Sequence, residues 1–299
     1  MNRLLRWGGF CLALLAGAWC LMTPVAVVAQ GPSERILDQI LDQYVRDGLV
    51  YYASLRRERR LLDRYVESLK PRPSAFATWS AARRLAYWIN GYNALVLRTV
   101  IDHYPIRGTS SNFPESSVMQ VPGMFAGREH LIAGDHLTLQ GIEDQIGDLG
   151  DPRVYLALGR GAVGSPRLRS EAFDASRFEI QLQAVVADFA TTPRHIHVDP
   201  LGDRLVVNAV LGWQAARFAS CCGGVDDNDE TWRTSFERSV VALIGPALFP
   251  SERDYLAENT FRLSYRDFDW RLNDLTGGAP TPRSVSRPVG SLLGGRPAN

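Results

Sequence analysis

The chain has 299 residues, of which 45% are hydrophobic, and its formal net charge is +1. This composition is typical of an ordinary globular protein with enough apolar residues for a sizeable core. A charge so close to zero gives no electrostatic argument for binding nucleic acid or an anionic membrane surface, so we expect no nucleic-acid partner.

Residues 1–29 are predicted to be a signal peptide for export. Arg3 and Arg6 precede an apolar run over residues 10–22, and small residues before Gln30 offer a cleavage site. The apolar run is short for a transmembrane helix. We therefore expect an exported protein, periplasmic or extracellular, with no membrane span after cleavage and with an uncleaved N-terminal anchor as the alternative.

Cleavage would leave two of the four cysteines, Cys221 and Cys222. Because adjacent cysteines can join only in a strained eight-membered ring, we expect this pair to be free or buried. The hydrophobic core, and not a disulfide framework, is then expected to hold the domain together.

Hydrophobic periodicity and turn residues predict helices and short strands over residues 30–276. The predicted helices cover 36–46, 57–69, 80–103 and 139–146, a segment after the capping box of Ser176 and Glu179, a segment capped by Asn208, and 232–244. The predicted extended segments are 50–52, 129–132 with 136–139, 154–158, and 195–198 with 204–207. The Gly-, Pro-, Ser- and Arg-rich tail 277–299 is expected to be disordered. We predict a single α+β domain.

The helix over about residues 80–103 is the centre of this predicted domain. Apolar residues cover so much of its circumference that we expect it to be buried on several sides, packed on a small sheet. Asn90 and Asn93 must then find partners, because an unpaired buried amide costs about 1–3 kcal/mol. Three residues apart, they can fix a neighbouring loop of a binding site or simply tie backbone segments together.

Residues 159–164 spell G-x-G-x-x-G after the predicted strand 154–158, which is the pattern of a dinucleotide-binding loop. That mechanism needs a helix to begin in the loop, so that its N-terminal amides meet the pyrophosphate. Here Pro166 follows, and Ser165 stands where a phosphate-binding loop of the other common type has lysine. We therefore assign no nucleotide and predict no cofactor.

Four segments, in order and spacing, resemble the successive signatures of the domain of unknown function 547 family. They are residues 87–94, 139–143, 151–158 and 268–273, and the resemblance extends from about residue 36 to 275. It implies a domain found in many exported bacterial proteins and in plant proteins, without a settled biochemical activity.

The resemblance also implies that two cysteines have been replaced. Family members continue after the third segment with Asn-Cys-Gly-Ala and then Ser-Cys-Pro, and here Arg160 and Ser165 stand where those cysteines would be. Asp144 stands where the family tends to have a histidine, directly after Glu143. Because a cysteine near a histidine suits thiol nucleophilic chemistry, the resemblance implies that this copy has a degenerate site.

The sequence leaves three functions open. We favour a degenerate-site domain, since Arg160 in a glycine-rich loop with free amides could bind a carboxylate or phosphate. Its ligand would be a small anionic or peptide-like molecule, or a protein partner, and the predicted binding residues are Asn90, Asn93, Arg160, Ser165 and Asp269. The alternatives are a structural envelope protein and a hydrolase or acyl-transferase. The enzyme would use Ser165 and Glu143 as candidate catalytic residues.

An enzyme would also need a base within hydrogen-bond reach of Ser165. Among the five histidines, His195 and His197 alternate on a predicted strand, where we expect both to be exposed. Two ligands at this spacing without a third nearby do not make a metal site, so we predict none.

Overall fold

The structure is a computed structural model that describes residues 32–221, 233–258 and 260–277. Its α-helices are α1 Pro32–Tyr44, α2 Tyr52–Arg57, α3 Arg60–Leu69, α4 Ala81–His103, α5 Leu139–Gly147, α6 Phe178–Thr191, α7 Ala209–Trp213, α8 Ala215–Ala219, α9 Ser235–Ile244 and α10 Pro250–Glu258. Its strands are β1 Val45–Arg46, β2 Leu49–Val50, β3 Glu129–Ile132, β4 Asp135–Thr138, β5 Ile196–Asp199, β6 Arg204–Asn208 and β7 Arg262–Arg266. The predicted signal peptide 1–29 and residues 278–299 of the predicted tail lie outside the described residues.

The mixture of helices and short strands confirms the predicted α+β class. The strands form two hairpins, β1–β2 and β3–β4, and one three-stranded sheet in the order β5-β6-β7. Strand β6 is antiparallel to β5 and parallel to β7, with Val206 opposite both His197 and Ser264. Helices α2 and α10 and strands β1 and β7 were not predicted, and β1 occupies the end of the segment 36–46 that was predicted as a helix.

Helix α4 is the buried central helix that the sequence predicts. Ser80 caps it by accepting the Arg83 N–H (3.3 Å). The helix ends at His103, because Tyr104 precedes Pro105 and the residue before a proline disfavours helical backbone. Between Leu85 and Ile101 only Tyr87 and Arg98 are not buried.

Helices provide most of the surroundings of α4, and a small sheet adds to them. Helix α4 packs mainly on α2, α3, α5 and α6, while the three-stranded sheet packs on α6 and α7. Hairpin β3–β4 reaches α4 at Gly91, where an added Cβ would lie 2.8 Å from Ile132 Cδ1. Strands of four or five residues are too short to cover a helix of 23 residues, so helices provide most of its surroundings.

The strand predicted at residues 154–158 is wrong, because this segment belongs to a buried 3-10 helix, Pro152–Ala157. Asp151 caps the helix by accepting the Arg153 N–H (3.0 Å), and Pro152 lies in its first turn, where no backbone donor is needed. A short continuous apolar run has no periodicity that could distinguish a buried strand from a buried helical turn.

The capping box predicted from Ser176 and Glu179 is also wrong, although helix α6 follows as expected. Helix α6 begins after Arg177 without a side-chain cap. The Ser176 hydroxyl donates to Asp174 Oδ1 (2.5 Å), and Glu179 forms an ion pair with Arg153 (2.8 Å). In a capping box each of the two side chains accepts the backbone N–H of the other residue, and here both side chains bind other partners.

One hydrophobic core joins the described residues, from Leu37 in α1 to Leu272 near the C-terminal end. None of the helices in the described ranges is long and apolar enough to span a membrane. Cys221 is disulfide-bonded, which contradicts the expected free pair, and the other cysteines lie outside the described residues. The strain expected in a ring between adjacent cysteines was therefore not a sufficient ground for predicting that Cys221 has a free thiol.

Candidate functional site

Asn90 and Asn93 lie one turn apart on α4 and each holds a separate piece of backbone. Asn93 Nδ2 donates to the Ala157 carbonyl (3.1 Å), and its Oδ1 accepts the Gly159 N–H (2.8 Å). Asn90 makes the same two-way contact with the N–H and the carbonyl of Phe173 (both 2.9 Å). Both side chains are buried, and their hydrogen bonds connect two loops to the central helix.

The 159–165 loop is also held by the C-terminal segment that follows β7. The Val163 N–H donates to the Arg271 carbonyl and the Gly164 N–H to the Asp269 carbonyl, both at 2.8 Å. An added Cβ at Gly164 would lie 2.6 Å from the Asp269 backbone nitrogen, so glycine is required here by a close backbone approach.

Most amides of this loop are therefore not free, which corrects the expectation of a loop with free amides. The Arg160 N–H donates to Ser165 Oγ and the Ser165 N–H to the Ala162 carbonyl, both at 3.1 Å. Together with the bonds of Gly159, Val163 and Gly164, five N–H groups of the loop have protein acceptors. A phosphate would have to displace these bonds to be held by the backbone.

Arg160 and Glu143 form a buried ion pair beneath this loop. Arg160 Nη2 lies 2.7 Å from Glu143 Oε2, and their side chains are only 4% and 6% exposed. The Tyr92 hydroxyl donates to the other carboxylate oxygen (2.8 Å), and the Tyr155 hydroxyl donates to the Glu143 carbonyl (3.2 Å). Both carboxylate oxygens thus have a donor, as a buried carboxylate requires.

The protonation of this cluster follows from burial and charge. Burial alone would lower the pKa of Arg160, but the adjacent Glu143 carboxylate raises it above its ordinary value. Burial, followed by the Glu143 charge, raises the pKa of Tyr92 well above its ordinary value, so its hydroxyl stays a donor. Arg160 Nη1 is buried without a hydrogen-bond partner, and the guanidinium carbon lies 5.5 Å from the centre of the Trp213 ring.

Ser165 is buried and lacks the surroundings of an activated nucleophile. Its hydroxyl oxygen accepts the Arg160 N–H, and no histidine or carboxylate of the described residues is hydrogen-bonded to it. The two candidate catalytic residues, Ser165 and Glu143, are connected only through Arg160, whose backbone contacts one and whose guanidinium contacts the other.

His195 is connected to this loop through one intermediate side chain, that of Asn208. The Asn208 amide donates to the Gly164 carbonyl and to His195 Nδ1, both at 2.9 Å, while its oxygen caps α7 at Val210. His195 is only 1% exposed and stacks on Phe189 at 4.8 Å, so the expectation that it is exposed is wrong.

Burial, reinforced by Arg194, lowers the pKa of His195 to about 3. The neutral ring is consistent with its Nδ1 accepting the Asn208 amide, because a protonated ring has no acceptor there. The sequence predicts Asn208 as a helix cap, but nothing in its local pattern indicates that the same amide also bridges a loop and a histidine.

Asp269 lies beside the loop through its backbone, while its side chain faces Arg271. The Arg271 Nε lies 2.9 and 3.0 Å from the two carboxylate oxygens, and this hydrogen bonding lowers the pKa of Asp269. The structure thus gathers Asn93, Glu143, Arg160, Ser165 and the Asp269 backbone around one loop, and leaves Asn90 at a neighbouring one. A ligand-binding role for these side chains stays a prediction.

Residues 76–190 match a family described as Protein of unknown function, DUF547. This segment belongs to the DUF547 family. It contains Asn90, Asn93, Glu143, Arg160 and Ser165, whereas Asp269 and the rest of the fourth resembling segment lie beyond the match. No curated protein and no solved structure matches the chain.

None of the four cavities that are lined by described residues lies beneath the loop. Four described cavities reach 460–580 Å³, and Glu143, Arg160 and Ser165 line none of these four. One of about 480 Å³ includes Val163 from the outer side of the loop. No cluster of three or more metal-ligating side chains occurs within residues 32–221, 233–258 and 260–277.

Proposed function

We propose that this domain binds a small anionic ligand with an apolar body and does not catalyse a reaction. The observation that carries the proposal is the cavity of about 480 Å³ on the outer side of the 159–165 loop. Its wall combines apolar side chains with two guanidinium groups, Arg194 and Arg271. A mostly apolar concave site with a few convergent polar groups is the usual form of a small-molecule site.

The charges of the cavity favour a carboxylate. Arg194 has no carboxylate within ion-pair distance among the described residues, and its Nε makes only a long contact, 3.4 Å, with His195 Nε2. Arg271 is already paired with Asp269. Asp274 also lines the cavity, but its carboxylate accepts the Tyr104 hydroxyl (2.7 Å) and both donors of Thr276. Arg194 is therefore the group with most to gain from an anionic ligand.

The apolar part of the ligand would contact the opposite wall. Leu49, Ile106, Val163 and Leu272 line the cavity, and the first two come from segments far from the loop in sequence. A short fatty acid has the required combination of one carboxylate and a flexible apolar chain. Octanoate and octanol form a suitable pair of probes, because they differ in charge and share the chain.

The absence of catalysis rests on the environment of Ser165 and on Arg160. Arg160 stands at the position that the family resemblance gives to a cysteine, and its charge is neutralised by Glu143. Ser165 is hydrogen-bonded to the loop backbone instead of to a base. Nucleophilic catalysis by serine needs such a base within hydrogen-bond reach.

Calorimetric titration with the two probes tests the proposal. We expect octanoate to bind at least tenfold more tightly than octanol, and Arg194→Gln to reduce this ratio below threefold. Arg253→Gln, which removes an exposed charge of α10 outside the cavity, is the matched control and should keep the full ratio.

Two results would overturn the proposal. If neither probe binds, or if Arg194→Gln binds both as the unchanged protein does, the cavity is not an anion site and the structural envelope alternative gains support. If the protein hydrolyses p-nitrophenyl octanoate and Ser165→Ala abolishes the turnover, the hydrolase alternative replaces a binding module.

A further inference from the structure

A second cavity of about 480 Å³ lies between α1, the segment after the 159–165 loop, and α6. Its wall carries both acidic and basic side chains, and its apolar lining residues are Leu156, Pro166, Ala184, Val185 and Phe189. Liquid water occupies roughly 30 Å³ per molecule, so the volume is that of about 16 waters. This is sufficient for a dipeptide.

Most charges of this cavity are already paired within the protein. Arg167 bridges Asp47 (2.9 Å) and Asp188 (3.0 Å), which ties the segment after the loop to α6. Arg169 contacts Glu171 through its Nε (3.1 Å). These paired side chains form part of the cavity wall, and because their charges are already neutralised they would attract a charged ligand only weakly.

Two charged groups of opposite sign are left with little or no pairing. The Asp42 carboxylate on α1 has no hydrogen bond or ion pair to any residue that the structure describes, and Asp38 lies one turn before it on the same helix face. Arg177 has a single long contact, 3.4 Å to Glu171, and its side chain is 52% exposed. The cavity therefore offers an acidic group from one element and a basic group from another.

We propose that this cavity binds a zwitterionic ligand, namely the free end of a short peptide or an amino acid. Its ammonium group would pair with Asp42, with Asp38 beside it, and its carboxylate would pair with Arg177. An apolar side chain would rest on the wall at Ala184 and Phe189. A ligand with only one charge would leave one of the two protein groups without a partner, so both charges are needed for tight binding.

This site is independent of the octanoate cavity proposed above, because the two cavities share no lining residue. The probe is the dipeptide Leu-Leu, compared with N-acetyl-Leu-Leu and Leu-Leu-amide, each of which lacks one terminal charge. In calorimetry with the full chain, we expect each blocked form to bind at least tenfold more weakly than Leu-Leu.

Two variants assign the charges to their partners. Asp42→Asn should reduce the preference over N-acetyl-Leu-Leu below threefold while keeping the preference over the amide. Arg177→Gln should do the reverse. Asp254→Asn and Arg253→Gln, exposed charges on α10, are the matched controls and should change neither ratio.

The outcome separates this proposal from the proposed function. Arg194→Gln should leave Leu-Leu binding unchanged, because that residue belongs to the other cavity. If Leu-Leu does not bind, if all three peptides bind alike, or if Asp42→Asn and Arg177→Gln keep both ratios, the zwitterion site is wrong, whatever octanoate does.

Discussion

Two arginine–carboxylate arrangements in this protein have similar lengths and opposite environments. Arg160 and Glu143 lie 2.7 Å apart with side chains 4% and 6% exposed. Arg59 lies 2.9 Å from Asp63 and 2.6 Å from Asp102, and these three side chains are 29–36% exposed. Burial, and not bond length, therefore decides how much stability is lost when one partner of an ion pair is removed.

The buried pair also explains how the 159–165 loop can belong to the core. Arg160 occupies a position where the family resemblance expects a cysteine, and a buried guanidinium there needs a buried carboxylate. Glu143 supplies it, and Tyr92 donates to the second carboxylate oxygen. The reactive group implied by the resemblance is thus replaced by an internal contact of the fold.

The largest expected effect is that of Arg160→Met. Glu143 would remain buried without its charged partner, so we expect the free energy of unfolding to fall by about 3–5 kcal/mol in urea denaturation. The double variant Arg160→Met with Glu143→Gln should recover part of this loss, because no unpaired charge remains. A loss below about 1 kcal/mol for the single variant would place the buried pair in the same class as the surface network.

A second test extends the comparison from charges to amides. Asn93→Ala would leave the Ala157 carbonyl and the Gly159 N–H without their buried partner, and we expect a loss of about 3 kcal/mol from two unpaired groups. Asn112→Ala in an exposed loop is the control and should change stability by less than about 0.5 kcal/mol. Equal effects of the two substitutions would contradict the stabilising role of the Asn93 hydrogen bonds.

A third test compares buried His195 with exposed His197. The pKa of His195 is about 3 in the folded protein and about 6.5 when unfolded, so the unfolded state binds more protons between these values. Stability should therefore fall as pH falls below 6.5, by about 2 kcal/mol at pH 5. His195→Gln should remove this contribution to the pH dependence, whereas His197→Gln should retain it.

The smallest expected effect is in the surface network. Asp102→Asn should lower the free energy of unfolding by less than about 1 kcal/mol, and 1 M salt should reduce the difference further because exposed charges are screened. Urea denaturation at low and high salt measures both. A loss as large as that of Arg160→Met would contradict the distinction by burial.

Sequence patterns within a single segment were sufficient to predict the elements whose structure depends mainly on that segment. Helix α4 was predicted because its apolar run is long and has a cap at Ser80 and a stop at Pro105. The hairpin β3–β4 was predicted from the turn around Gly134, which adopts a positive φ of 84°. The 3-10 helix Pro152–Ala157 was mistaken for a strand, because a short apolar run carries no period.

Pairings between distant segments could not be predicted in this way. The sequence singled out Glu143 and Arg160 as separate candidates, but their ion pair depends on how α5 packs beside the loop. The hydrogen bond from the Tyr92 hydroxyl to Glu143 likewise has no local signal in the sequence. Arg194 and Arg271 reach one cavity only because β7 and the segment after it return to the loop.

Hydrogen–deuterium exchange of the 159–165 loop tests most directly whether the loop is part of the core. We predict that the amides of Gly159, Val163 and Gly164 exchange as slowly as those in the middle of α4, because each is hydrogen-bonded to a buried or paired segment. Exchange as fast as in the exposed loop around residues 109–112 would contradict the account, since the loop would then be open to an anion.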